Sequence, residues 1–81
     1  MTQLEKISEK LLENEEILFS FNGFYIYIQE RVDGGFEGDI YASEAAFDNG
    51  EEPIDGGVCD SVLPNIAIEF FKEVANDLKG R

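Results

Sequence analysis

The chain has 81 residues, 43% of them hydrophobic, with 18 acidic and 6 basic side chains and a formal charge of −12. That composition supports one small core, argues against disorder, and disfavours direct binding of DNA, RNA or an anionic membrane, all of which reward Lys and Arg. There is no histidine and Cys59 is the lone cysteine, which removes the commonest general base and zinc ligand, rules out an internal disulfide, and points to a reducing cytoplasm.

Residues 2–14 are predicted to form a helix. Leu4, Ile7 and Leu11 recur at helical spacing, Leu12 widens the stripe, and Thr2 with Glu5 fits a capping box. Strands follow over 17–21, 24–32 and 36–42. Asn22-Gly23 is the signature of a two-residue type I′ hairpin turn. It sets Phe21 opposite Phe24, Phe19 opposite Ile26 and Ile17 opposite Ile28, so apolar meets apolar throughout. Asp33-Gly34-Gly35 turns the chain again. A three-residue loop keeps the faces clean, with Ile28 opposite Ile40 and Ile26 opposite Ala42 on one side. On the other side Tyr27 then meets Tyr41, Gln29 meets Asp39 and Arg31 meets Glu37.

Residues 43–60 are predicted to be a long acidic loop. Ser43 can cap one helical turn through Phe47, and Asp48-Asn49-Gly50 and Asp55-Gly56-Gly57 read as turns. Phe47, Ile54 and Val58 are expected to pin this loop to the core. A second helix is expected over 61–79, with Ser61 as N-cap, Pro64 in the first turn and Gly80 as C-cap. Its stripe Val62, Ile66, Phe70 and Val74, broadened by Leu63, Ala67, Phe71 and Leu78, is expected to cover the sheet.

The expected fold is therefore α+β: an α-β-β-β-α chain in one domain, with a three-stranded antiparallel meander and two helices packed on one face. The polarity of the other face leaves it open. This layout is similar to that of the double-stranded-RNA-binding domain, but the basic residues such a domain uses on phosphates are missing here.

Charge is the sharpest functional signal. From Val32 to Phe71 there is no Lys or Arg, yet there are ten acids: Asp33, Glu37, Asp39, Glu44, Asp48, Glu51, Glu52, Asp55, Asp60 and Glu69. Most of them belong to the third strand and the loop after it. Tyr25, Tyr27 and Tyr41 are predicted to share one face, where tyrosines can act as binding anchors. No catalytic, cofactor or metal site is expected. The oxygen-rich run Asp48–Asp55 lacks calcium-loop spacing, Gly34-Gly35 and Gly56-Gly57 follow no phosphate-loop pattern, and Cys59 next to Asp60 has no base beside it. The N-terminus lacks the features of a signal peptide, and no apolar run approaches the roughly 18 residues of a membrane span.

In compactness, charge and layout the chain resembles the DNA-mimic anti-CRISPR and anti-restriction proteins of phages and mobile elements. The resemblance implies a non-enzymatic inhibitor acting in the bacterial or host cytoplasm. It would occupy a Lys/Arg-lined nucleic-acid site on a CRISPR effector or restriction enzyme. Asp33, Glu37, Asp39, Glu44, Asp48, Glu51, Glu52 and Asp55 would then present the acidic surface, with Tyr25, Tyr27 and Tyr41 as anchors. An alternative reading is an immunity-type module that binds one basic protein, such as a nuclease toxin, without mimicry. A monomer is favoured because like charges repel, and an exposed sheet edge is the route to a homodimer.

Overall fold

The structure is a computed structural model and describes residues 9–11 and 13–80. Residues 2–8 and Leu12, most of the first predicted helix with its Thr2/Glu5 cap, lie outside the described residues. Residues 9–11 and 13–14 are helical (α1). Then come β1 (Glu16–Phe21), β2 (Phe24–Glu30), β3 (Phe36–Tyr41), α2 (Glu44–Asp48), β4 (Asp55–Cys59) and α3 (Pro64–Lys79). The strands form one antiparallel sheet in the order β1-β2-β3-β4. The α+β class holds, but the meander has a fourth strand where a loop was expected. Asp55-Gly56-Gly57 carries the residues of a turn, yet its backbone pairs with β3 from Ile40↔Asp55 to Phe36↔Cys59. Glycines supply no side-chain alternation, so the pattern of a strand is absent there even though the ladder is present.

The β1–β2 hairpin has the predicted register, and Asn22 and Gly23 both take positive φ, 53° and 88°, as a type I′ turn requires. The β2–β3 register differs. Ile28 faces Gly38 rather than Ile40, Ile26 faces Ile40 rather than Ala42, and Tyr25 rather than Tyr27 faces Tyr41. The connection is longer than predicted: β2 ends at Glu30, Arg31 N–H donates to Gly35 O at 3.1 Å, and Val32 points into solvent. A slip of two residues preserves which face each side chain occupies, so face matching could not separate the two registers. Packing separates them. The register sets Gly38 beneath Phe71, and a Cβ there would lie 2.8 Å from the ring.

The core lies between the sheet and the helices α1 and α3. It contains Leu11, Ile17, Ile26, Ile28, Phe36, Ile40, Cys59, Ala67, Ile68, Phe71 and Ala75. α3 starts at Pro64 rather than at Ser61; Leu63 takes the N-cap position without a side-chain bond, and the Ser61 hydroxyl accepts from Leu63 N–H instead. Its buried side is Pro64, Ala67, Ile68, Phe71 and Ala75. Of the predicted stripe, Ala67 and Phe71 are buried and Val74 and Leu78 pack against the core, whereas Val62, Leu63, Ile66 and Phe70 are exposed. Ala67 and Ala75 let the helix approach the strands, and Phe71 fills the space above Gly38. Gly80 is the C-cap, as predicted.

Candidate protein-interaction surface

Strand alternation gives the sheet an outer face, away from α1 and α3. Three cross-strand rows make it up. The first is Glu16, Gln29, Glu37 and Val58; the second is Leu18, Tyr27, Asp39 and Gly56; the third is Ser20, Tyr25 and Tyr41. Neighbouring strands lie about 5 Å apart, so side chains within a row are in reach of each other.

The third row is covered. Ser43 accepts a hydrogen bond from Ala46 N–H at 3.0 Å, capping α2 as predicted, and α2 folds back over the outer face. Phe47 sits among the tyrosines, its ring centroid 5.2 Å from Tyr25, 6.5 Å from Tyr27 and 5.0 Å from Tyr41. This corrects two expectations. The outer face is not fully open, because a helix packs on each side of the sheet. Phe47 pins its segment to the tyrosines rather than to the core, while Ile54 and Val58 remain exposed.

The first two rows stay uncovered and carry a polar network. The Tyr27 hydroxyl donates to Glu16 at 2.5 Å, and Gln29 Nε2 donates to Glu37. The bond to Glu16, aided by burial, pushes the Tyr27 pKa up to about 12. Burial, and then the field of Glu37, raises the Asp39 pKa. Tyr25 is raised by burial and by Glu44 and Asp48, which places those two carboxylates beside the covered row. Next to the network lies a shallow depression of about 340 Å³ between Tyr27, Gln29, Glu37, Asp39 and Val58, floored by Gly38, Gly56 and Gly57. Carboxylates there can accept from a guanidinium or ammonium group, the strongest class of neutral-pH hydrogen bond.

The structure divides the predicted surface. Glu37 and Asp39 share the outer face, and Glu44 and Asp48 border it on α2. Asp33 stands apart in the β2–β3 turn, paired with Arg31 at 3.3 Å. Asp55 belongs to the inner register, opposite Ile40, and its carboxylate accepts from Gly56 N–H at 2.8 Å. Glu51 and Glu52 are exposed on the segment between α2 and β4. Tyr25, Tyr27 and Tyr41 are half-buried around Phe47. Glu16 was missed. Extending the β1 alternation back one residue from Ile17 would have put it opposite Gln29.

No basic side chain occupies this face among the described residues. Lys72 lies 5.4 Å from the Phe21 ring centroid and Lys79 reaches Asn22 O, both on the α3 side. Lys10 is on α1, and Arg31 is held by Asp33 at the end of the sheet. Among the described residues no helix is long and apolar enough to cross a membrane. Comparison of the chain with protein-family models, curated proteins and solved structures returned no match.

Proposed function

We propose that the protein is a non-enzymatic inhibitor that docks its acidic outer face into a basic nucleic-acid site on another protein. The targets this reading implies are CRISPR effectors and restriction enzymes, met in the cytoplasm of a cell invaded by a phage or mobile element. One observation carries the reading: Glu16, Glu37 and Asp39 share an uncovered sheet face with no Lys or Arg on it among the described residues, and Glu44 and Asp48 extend the charge along α2. Such a surface attracts a Lys/Arg-lined channel and repels nucleic acid itself. The Gly-floored depression leaves room for a basic side chain between the carboxylates.

The test is inhibition of DNA cleavage by purified CRISPR effectors and restriction enzymes. The expected inhibition weakens with salt, is relieved by excess DNA, and is lost in the Glu16→Lys, Glu37→Lys, Asp39→Lys triple variant. Inhibition that survives the triple variant, folded by circular dichroism, overturns the proposal. A second reading, a module that grips one basic protein without mimicry, is favoured by the separation of Asp33 and Asp55 from the outer face. It leaves a smaller acidic array than a phosphate path. Binding that DNA does not displace would select it.

A further inference from the structure

We infer that the free edge of β4 and the exposed flank of α3 form a groove for an extended, Lys/Arg-bearing segment of the partner protein, added to the sheet as a fifth strand. This rests on the basic partner proposed above and adds how that partner is gripped.

β4 pairs with β3 along one edge, and no strand among the described residues pairs with the other. Edge strands are commonly protected by lysine, proline or a bulge. Asp55-Gly56-Gly57-Val58-Cys59 has no lysine or proline, and its register to β3 is unbroken. Its second and third residues are glycines, so no side chain there hinders an approaching backbone.

Beside this edge α3 and the two residues that lead into it expose apolar side chains. Val62 is 72% exposed, Leu63 55%, Ile66 45% and Phe70 36%. Ile66 and Phe70 line a shallow groove with Glu69 and Glu73. This flank faces β4: Phe70 Cε1 lies 4.0 Å from where a Cβ on Gly57 would be. The opposite flank faces the β1–β2 turn, as Lys72 over Phe21 shows. A strand added about 5 Å beyond β4 would run beneath Ile66 and Phe70. Its inward side chains would cover them, and its backbone would satisfy the free edge.

The charge selects the occupant. Glu69 and Glu73 border the groove, and Asp55 and Asp60 flank the two ends of β4. A second copy would bring the same acids to a chain already at −12. A segment with apolar residues facing α3 and Lys or Arg on its other face complements both features.

The test titrates the full chain with an octapeptide of alternating Lys and Val, followed by amide and aromatic NMR. The expected result is shifts at Gly56, Gly57, Val58, Ile66 and Phe70, with slowed amide exchange along β4. Ile66→Arg, at an exposed position, should weaken binding about tenfold or more, while a Glu-Val octapeptide should not bind. Three results would overturn the inference: shifts confined to Glu16, Glu37 and Asp39; equal binding by a backbone-N-methylated Lys-Val peptide; or concentration-dependent dimerisation that shields β4 without peptide. The outer-face triple variant keeps the two proposals separable. If it loses nuclease inhibition but still binds the peptide, both readings stand. If the wild-type chain binds the peptide but inhibits no nuclease, only the mimicry reading falls.

Discussion

Gly38 lies directly beneath the ring of Phe71, and a Cβ on Gly38 would sit 2.8 Å from Cε1 and Cζ of that ring. Phe71 is fully buried and cannot swing away. Gly38→Ala should therefore destabilise the fold by about 1–3 kcal/mol through overpacking. Combining it with Phe71→Leu should recover part of the loss. Urea unfolding of the two single variants and the double variant measures the coupling; simple additivity would mean the two residues do not press on each other.

Phe47 holds α2 to the sheet through three tyrosine rings. Phe47→Ala should cost about 1–3 kcal/mol, less than a fully buried phenylalanine, since each aromatic pair adds about 0.5–1.5 kcal/mol beyond area. Its first effect should be local. Faster exchange is expected at the Ala46 and Asn49 amides, which bond to Ser43 Oγ and Ala45 O. Unchanged exchange there would place the anchor of α2 elsewhere.

Tyr27 titrates at about 12, held mainly by its bond to Glu16, against about 10 in an unfolded chain. The folded state thus favours the neutral phenol. Its contribution to stability is complete below pH 10 and is lost as the pH rises from about 10 to 12. Absorbance titration should show delayed ionisation of Tyr27, and Glu16→Ala should bring it down toward 10.

Asp39 has the opposite consequence at neutral pH. Burial and Glu37 raise its pKa, so its ionised form strains the fold once the pH passes the carboxylate range. Asp39→Asn should raise the thermal midpoint at pH 7, and the gain should vanish below about pH 4. A midpoint lowered at pH 7 would show that the carboxylate makes a stabilising contact.

Glu15 ends α1 with φ at 64°, its N–H bonded to Leu11 O and its carbonyl accepting from Glu30 N–H. A left-handed backbone costs a non-glycine residue about 1–2 kcal/mol, and an acid at a helix C-terminus opposes the macrodipole. Glu15→Gly should stabilise the protein by about 1 kcal/mol, read from its denaturation midpoint.

The first hairpin was legible because Asn22-Gly23 admits one turn, and every Phe and Ile around it agrees with that turn. The second was legible in its faces and not in its register. Glycine 38 reads as a gap in the pattern, and only the Phe71 ring filling it reveals which residue it faces. β4 was hidden for a related reason, since its identity lies in backbone hydrogen bonds rather than in side chains. The core face of α3 was legible in part: the predicted stripe included Ala67, Phe71, Val74 and Leu78 but not Ile68 or Ala75, and the alanines at 67 and 75 decide the face by permitting close approach. At the site, Glu37 and Asp39 were legible from parity alone. The coverage of the tyrosines was not, because Phe47 reads equally well as a residue of either face.

Lys10, Lys72 and Lys79 partly offset Glu9, Glu13, Glu69, Glu73 and Asp77 on the helix layer, whereas the carboxylates on the bare side of the sheet have no basic neighbour among the described residues, so the negative charge is least compensated on that side. In the field of a positively charged partner such a body experiences a torque before any contact forms. It would arrive sheet-first, with much of the rotational search already complete. The signature of that orientation is kinetic: ionic strength should slow association steeply while leaving dissociation nearly unchanged.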